Sequence, residues 1–403
     1  MDIKDILQSA VQDFIRQHES DDENKLLLKH KSIHGVPASL VADQIAGRRK
    51  AKLKLPSWYA TKNLLYPPSI NIEQSSSEKT AAYKTDFLKH LLKIQFKKVV
   101  DLTGGFGVDS FFFSSIFNEV NYVEPDENLF ELVKHNHAAL GRLNIQHHNT
   151  TAEAFFSATK DKFDLVYIDP SRRSKGNQKI FRLADCTPDI TQLQEIIFNK
   201  ADLLLVKASP MLDILQGIKE LKHVAKIYIV AVDNECKEVL FLCRKGHETD
   251  PDIEAVDLKT SSDELNPFRF SLSQEKNSVA DFSPPLRYLY EPNAALLKAG
   301  AFKLIAQRFA LKKIQRHTHL YTSDKLIEDF PGKVFKIEVL VKADAKNVRQ
   351  HFPDGKGNVV TRNYPLSPEQ LKKKTGLKDG GEKFLIGFSG DTKKFTAVCA
   401  RIK

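Results

Sequence analysis

Three glycines stand close together in the stretch VVDLTGGFGVDSFFFSS, residues 99–115, between an apolar run and an aromatic-rich run. The first run predicts a short buried strand that ends at Asp101, and the second predicts the start of a helix. Gly104, Gly105 and Gly107 therefore form a strand-to-helix turn, where backbone can approach a ligand closely. The free N–H groups at the start of such a helix favour an anionic group on that ligand.

Polar residues follow the next three predicted strands. Glu124 ends EVNYVEP, and a carboxylate there can accept hydrogen bonds from two ribose hydroxyls. Thr151 follows the third strand, and Asp169 and Pro170 end the fourth, FDLVYIDP. Because ligands of doubly wound sheets bind at the carboxyl ends of the strands, we expect these residues to meet at one edge. Ser110 stands in place of the third glycine of a dinucleotide fingerprint, which disfavours an NAD site.

The elements that must position these residues lie between Thr80 and Gly246, where short apolar segments alternate with helical ones. The seven strand candidates are KVVDLT, EVNYVEP, NIQHHNT, FDLVYIDP, DLLLVKA, AKIYIVAV and EVLFLCR. This alternation predicts an α/β fold with a doubly wound, mostly parallel, seven-stranded sheet of the Rossmann-like type. The last two candidates have no long helix between them, which leaves an antiparallel pairing open.

Changes in pattern divide the rest of the chain into further regions. Residues 1–75 form an N-terminal helical region, and residues 76–248 form the α/β domain. Residues 249–331 read as a linker with a small ferredoxin-like or helical module, and residues 332–403 read as a lysine-rich α+β module. We therefore expect more than one domain, as the length of 403 residues also suggests.

Composition narrows the class of protein. The chain is 41% hydrophobic and 28% charged, and no apolar run approaches the length of a membrane helix. Its 4 cysteines are scattered without a CxxC pair, which argues against a zinc site or a disulfide framework and favours a cytoplasmic protein. The net charge of +10 favours a polyanionic partner, although a lysine-rich solubilising surface explains it equally well.

Taken together, the ordered landmarks of residues 80–246 resemble class I S-adenosylmethionine-dependent methyltransferases. DLTGGFG corresponds to the first motif of that family, and EQSSSEKTAAYK is similar to an additional motif that precedes it in nucleic-acid methyltransferases. The tail, with EPNAALLKAGAF and its lysine-rich end, is similar to bacterial proteins that carry a THUMP-like carboxyl-terminal domain. The resemblance implies S-adenosyl-L-methionine as the cofactor and RNA, either tRNA or rRNA, as the partner.

The resemblance also implies roles for individual residues. Glu124 would bind the cofactor ribose, and the turn around Asp101 would surround the methionine part. The set implied to bind the cofactor is Asp101, Thr103, Gly104, Gly105, Gly107, Glu124, Thr151 and Asp169. The set implied to bind the substrate is Pro170, Ser171, Arg172 and Arg173, since arginines can contact phosphate or stack on a base. No metal ligand and no membrane contact are expected.

The acceptor of the methyl group stays open between a base amino group and a ribose 2′-hydroxyl. Asp169 could accept a hydrogen bond from an exocyclic amine, but Ser171 and Arg172 replace the proline and aromatic residue typical of amino methyltransferases. Ribose methyltransferases often use a Lys-Asp-Lys-Glu tetrad, and this sequence offers Lys84, Asp169, Lys207 and Glu238 in the four places. A lysine with a lowered pKa in that tetrad could deprotonate or orient a hydroxyl.

The cysteine Cys186 and the tryptophan Trp58 are of types that also serve in nucleotide chemistry. Methylation at carbon 5 of a pyrimidine needs a cysteine nucleophile, and for Cys186 a buried structural role is expected instead. For Trp58, the single tryptophan, a core role is expected in preference to base stacking.

The sequence therefore favours an RNA methyltransferase. One alternative is a non-catalytic RNA-binding or assembly protein with a relic cofactor pocket. Another is a methyltransferase that acts on a small molecule or a protein.

Overall fold

The structure is a computed structural model that describes residues 3–91, 96–172 and 182–403. It divides the chain into two compact units. The first contains residues 1–225 and 238–249, and the second contains residues 226–237 and 250–403.

The described helices alternate with the strands along most of the chain. The helices are α1 (Ile3–Ile6), α2 (Ser9–Gln17), α3 (Glu23–Lys29), α4 (Ala38–Lys54), α5 (Pro56–Ala60), α6 (Ser69–Gln74), α7 (Glu78–Leu91), α8 (Val108–Phe113), α9 (Glu127–Ala139), α10 (Ala152–Ala158), α11 (Ile190–Phe198), α12 (Ile214–Glu220), α13 (Leu272–Asn277), α14 (Ala294–Ala299), α15 (Phe302–Arg308), α16 (Ala345–Arg349) and α17 (Pro368–Thr375).

The strands form the sheets of both units. They are β1 (Ser32–Ile33), β2 (Val36–Pro37), β3 (Phe96–Asp101), β4 (Phe117–Val123), β5 (Ile145–His148), β6 (Leu165–Ile168), β7 (Ser171–Arg172), β8 (Cys186–Thr187), β9 (Leu203–Ala208), β10 (Val224–Val232), β11 (Glu235–Arg244), β12 (Asp252–Leu258), β13 (Phe268–Ser271), β14 (Tyr288–Pro292), β15 (Lys312–Gln315), β16 (Thr318–Ser323), β17 (Gly332–Leu340), β18 (Asn358–Arg362), β19 (Lys383–Ser389) and β20 (Lys394–Arg401).

The large sheet of the first unit is mostly parallel, as the sequence predicts. Its strands lie in the order β11-β9-β6-β3-β4-β5. Neighbouring strands from β9 to β5 run parallel, and β11 is antiparallel to β9. The chain winds outward from β3 through β4 to β5 and then returns to β6 on the other side of β3. The carboxyl ends of β3 and β6 therefore flank the topological switch point, where ligands of such sheets bind.

Burial on both faces explains why the sequences of β6 and β9 are nearly continuous apolar runs. Every residue of both strands is buried, as expected for parallel strands covered by helices on both faces. Lys207 is the one charged residue in these two strands. A buried ammonium in an otherwise apolar strand requires compensating charge nearby.

The N-terminal helices belong to the first unit, and α5 packs on the glycine turn and α8 through Trp58. Trp58 is fully buried with its ring edge-to-face against Phe106 and Phe111, so the predicted core role of this tryptophan is confirmed. The side-chain amide of Asn136 on α9 exchanges two hydrogen bonds with the backbone of Leu65, at 2.8 and 2.9 Å.

The second unit contains a seven-stranded sheet in the order β15-β16-β14-β17-β20-β19-β18. Strand β14 pairs antiparallel with β16 on one side and with β17 on the other. One apolar core, with Leu289, Ile314, Phe335 and Phe388 among its members, includes residues from both sides of position 332. The two carboxyl-terminal modules of the sequence analysis therefore share one sheet and one core. Strands β10, β12 and β13 form a further group, with β10 parallel to β12 and β12 antiparallel to β13.

Candidate active site

Asp101 ends β3 at the switch point and is 1% exposed. The Ser110 hydroxyl donates to its Oδ2 at 2.7 Å, and the Thr103 N–H donates to its Oδ1 at 3.1 Å. Burial raises the pKa of this carboxyl to about 7, because loss of hydration outweighs the two stabilising hydrogen bonds. A cationic group on a ligand would favour the ionised form of this buried carboxyl.

The glycine turn after Asp101 has one closed side and one open side. A Cβ on Gly104 would lie 2.2 Å from the ring of Tyr122, so the turn packs directly on β4. Gly105 has φ +52°, and a Cβ there would meet only the carbonyl oxygen of Thr103, at 3.8 Å. The space beside Gly105 is therefore free for a ligand, and the left-handed backbone favours glycine.

Glu124 lies at the end of β4 and holds the turn from the other side. Its Oε2 accepts the N–H of Gly105 and its Oε1 accepts the N–H of Asp126, both at 2.9 Å. Burial raises the pKa of the Glu124 carboxyl, and the two backbone N–H groups oppose that effect. The oxygens that would receive ribose hydroxyls are thus fixed in place by backbone donors.

Two other members of the implied cofactor set make structural contacts. The Gly107 carbonyl lies 2.9 Å from Nε2 of the buried His137, whose Nδ1 lies 2.9 Å from Nε2 of His147. Burial lowers the pKa of His137 to about 3 and that of His147 to about 4, so both imidazoles are neutral. The contact of His137 with the Gly107 carbonyl holds the turn in place. The Thr151 hydroxyl caps α10 by accepting the N–H of Ala154 at 3.2 Å.

Asp169 follows β6 and forms an ion pair with Lys207 of β9, with 2.5 Å between Oδ2 and Nζ. Its N–H donates to the Thr103 hydroxyl at 2.6 Å, which ties the end of β6 to the glycine turn. The Asp169 side chain is 32% exposed and that of Lys207 is 10% exposed. Asp169 is therefore the group of this pair that a substrate can reach.

The pKa of Lys207 differs from the lowered pKa expected for a tetrad lysine. Burial by itself lowers the pKa, but the charges of Asp169, Asp109 and Glu238 more than offset it, and the pKa of Lys207 is raised. Lys207 therefore stays an ammonium at neutral pH. The lowered pKa considered for a tetrad lysine is therefore not found for Lys207, because the charges of the three carboxylates favour its protonated form.

Lys84 and Glu238 form the other half of the expected tetrad, and both are buried. The Lys84 ammonium donates to the two oxygens of Glu238 at 2.8 and 2.9 Å and to the Ser76 hydroxyl at 3.1 Å. The side chains are 0% and 2% exposed. The structure thus brings the four tetrad residues together as two ion pairs, but Lys84 and Glu238 are not accessible to an acceptor.

Asp109, at the start of α8, was not singled out by the sequence analysis. Its Oδ2 accepts hydrogen bonds from the hydroxyls of Ser76 and Tyr167, at 2.7 and 2.8 Å, and its Oδ1 lies 3.3 Å from the Lys84 ammonium. Burial raises the pKa of Asp109, but the lysines Lys84 and Lys207 outweigh that effect and lower it overall. The sequence carried one signal for this group, since Ser76 lies in the EQSSSEKTAAYK motif.

The implied substrate residues follow Asp169 directly. Pro170 is half-buried, and Ser171 is exposed and donates to the Thr187 carbonyl at 3.4 Å. Strand β7 pairs antiparallel with β8, which aligns the Arg172 backbone with Cys186. Arg173 and the side chain of Arg172 lie outside the described residues.

Cys186 departs from the expectation of a buried structural residue, because it is half-exposed. Its thiol donates to the Arg182 carbonyl at 3.5 Å. In the described parts of the chain, no group of three or more His, Cys, Asp or Glu side chains could hold a metal ion. None of the described helices has the length and apolar character to cross a membrane.

Two parts of the second unit match known families. Residues 288–331 match a family described as a ferredoxin-like domain, and residues 332–401 match a family described as THUMP domain-like. The comparison with curated proteins found no match.

Among solved structures, a protein of Porphyromonas gingivalis W83 named a "putative methyltransferase" is 30% identical. The match covers 100% of both chains with a TM-score of 0.85. An rRNA methylase from Streptococcus thermophilus is 17% identical, with 40% of this chain and 94% of that chain covered and a TM-score of 0.31. A Streptococcus mutans protein, solved in complex with SAH, is 16% identical over 40% of this chain and 95% of that one, with a TM-score of 0.30.

The full-length match agrees with the fold and with the two carboxyl-terminal family matches. This chain combines a class I methyltransferase fold with a THUMP-like domain, and it belongs to the family of the Porphyromonas gingivalis protein.

Proposed function

We propose that this chain is an S-adenosylmethionine-dependent methyltransferase that acts on RNA, either tRNA or rRNA. The observation that carries the proposal is the arrangement of Asp101 and Glu124 around the open side of Gly105. Family membership supports a methyltransferase, and the THUMP-like match supports RNA as the partner. An enzyme with this substrate would work in the cytoplasm.

The residues present fit the cofactor. Among the described residues, the charged cluster contains four carboxyl groups and two lysines, namely Asp101, Asp109, Asp169, Glu238, Lys84 and Lys207. This excess of negative charge suits a ligand with a sulfonium and an ammonium group. Asp101 and the turn of Thr103, Gly104, Gly105 and Gly107 would hold the methionine part, Glu124 the ribose, and Thr151 the adenine side. When bound, the cofactor supplies an activated methyl group.

The other residues of the site act on the acceptor. Asp169 would orient it, with Lys207 holding the carboxylate in place. Pro170, Ser171, Arg172 and Arg173 would contact the rest of the nucleotide. Lys84 and Glu238 are buried, and the charge of Glu238 would stabilise the ammonium of Lys207 in its ion pair with Asp169.

A basic surface in the THUMP-like region supports RNA binding. It consists of Arg349, Lys356, Lys373, Lys374 and Lys378, all of which are exposed. No ion-pair partner of these five is found within the described ranges. Lys356 and Lys378 lie on adjacent bridged segments, and the following Gly380 and Gly381 have positive φ angles. Such a surface suits the phosphate backbone of a folded RNA.

We also propose domain boundaries at residues 75, 248 and 331, although the modules on the two sides of residue 331 share one sheet. Because β14 pairs with β17 across position 332, removing residues 332–403 would expose the edge of β14 and open a shared core. The RNA-binding function is therefore better tested by point substitutions than by truncation.

Calorimetry with S-adenosylmethionine and transfer of a tritiated methyl group to cellular RNA together test the proposed function. We expect micromolar or tighter cofactor binding and label in RNA but not in protein. Absence of cofactor binding would indicate a relic pocket, and label in protein or in small molecules would assign a different substrate. Either result contradicts the proposal.

A further inference from the structure

Asp169 is the member of the two ion pairs that is most exposed to solvent. Among the side chains of the two ion pairs, Asp169 is 32% exposed, Lys207 10%, Glu238 2% and Lys84 0%. Asp169 Oδ2 is taken by the Lys207 ammonium, and no bond to Oδ1 is seen within the described residues. An ionised carboxylate only accepts hydrogen bonds, so it complements an acceptor group that carries hydrogen.

No lysine of the cluster is placed to remove a proton from a hydroxyl. The ammonium of Lys84 is enclosed by Glu238, Ser76 and Asp109. The ammonium of Lys207 lies on Asp169, with Asp109 and Glu238 as further negative neighbours. A ribose hydroxyl attacks effectively only when a base removes its proton as the new bond forms, and a carboxylate such as Asp169 is a weak base for that step. An amino nitrogen can release its proton after the N–C bond has formed, so a weak base is sufficient.

We propose, on the basis of the proposed function, that the acceptor is an exocyclic amino group of a nucleobase, whose N–H is donated to Oδ1 of Asp169. The nitrogen lone pair forms the new N–C bond while the bond between the methyl carbon and the sulfonium sulfur breaks. Sulfur keeps the electron pair of that bond, and the nitrogen releases one proton through Asp169 to water. Lys207 holds the Asp169 carboxylate in place through its ion pair, and the Thr103 hydroxyl fixes the backbone of Asp169.

The position of the label tests the proposal directly. The full chain is incubated with tritiated S-adenosylmethionine and total RNA from cells that lack its gene, and the RNA is digested to nucleosides and then to free bases. We expect the label to stay with the base, on an exocyclic nitrogen. Label on the ribose, a ring nitrogen or a ring carbon would overturn this inference and leave the proposed function standing. Absence of label in RNA would overturn both.

The rate and its pH dependence give a second test. Asp169→Asn should lower the single-turnover rate by about 10²–10⁴-fold and leave the cofactor Kd, measured by calorimetry, within about twofold of the unsubstituted value. Asp164→Asn, at the opposite end of β6, is the matched control and should alter neither. The unsubstituted rate should be flat between about pH 7 and about pH 9.5. A unit-slope rise over this range would mean that an ammonium must lose its proton, and would overturn the proposal in favour of a lysine base.

Discussion

The ammonium of Lys84 lies 2.8 and 2.9 Å from the two carboxylate oxygens of Glu238, 154 positions away in the chain. Both side chains are withdrawn from solvent, and Ser76 and Asp109 complete the surroundings of the ammonium. This ion pair joins α7, which precedes the glycine turn, to β11, the strand that runs antiparallel to β9. Two elements that are far apart in the sequence are therefore held together by a buried ion pair beside Asp109.

Breaking this pair should destabilise the first unit. Lys84→Met leaves the Glu238 carboxylate buried without its cation, and the free energy of unfolding should fall by about 3–5 kcal/mol. The double variant Lys84→Met/Glu238→Leu removes both charges and should recover part of that loss. Urea titrations of the three proteins measure the effect. A double variant less stable than Lys84→Met would show that the two charges are not coupled.

Asp101 should make stability depend on pH. Its pKa of about 7 lies above that of an unfolded-chain aspartate, so the folded state binds the proton more tightly. The resulting stabilisation is complete below about pH 4 and is lost as the pH rises through about 7. Asp101→Asn cannot titrate, so relative to the unsubstituted protein it should gain roughly 2 kcal/mol between about pH 5 and about pH 8. Urea titrations at both pH values test this, and a pH-independent difference would contradict it.

Glu124→Ala should weaken cofactor binding by roughly 1.5–3 kcal/mol, because it removes the charged acceptor of the ribose hydroxyls. Calorimetry with S-adenosylmethionine measures the change. Glu127→Ala, an exposed acidic residue in the first turn of α9, is the matched control and should leave the affinity unchanged. Equal affinities of Glu124→Ala and the unsubstituted protein would remove Glu124 from the cofactor site.

The basic surface should determine the salt dependence of RNA binding. Reversing Lys373, Lys374 and Lys378 to Glu should weaken binding and reduce the log–log salt slope by about 2, since each neutralised phosphate contributes about 0.7–0.9. The control reverses Lys97, Lys160 and Lys162, which are exposed at the amino ends of β3 and β6, away from the site. Binding across a salt series distinguishes the two variants. Parallel slopes for both would show that the THUMP-like surface does not contact RNA.

The sequence by itself determined the order of the elements and the residues at their ends. Apolar runs interrupted by glycine and acidic residues predicted β3, β4 and β6 together with Asp101, Glu124 and Asp169, because these signals are local. It also provided the four tetrad candidates, since each stands at a recognisable strand end or motif.

Only the tertiary structure decided how these groups act. The protonation of Lys207, the withdrawal of Lys84 and Glu238 from the acceptor and the part played by Asp109 depend on desolvation and on charges brought together from distant positions. The union of the two carboxyl-terminal modules likewise depends on the pairing of β14 with β17. Local composition cannot specify either outcome, because strand partners and through-space charges are set when the chain folds.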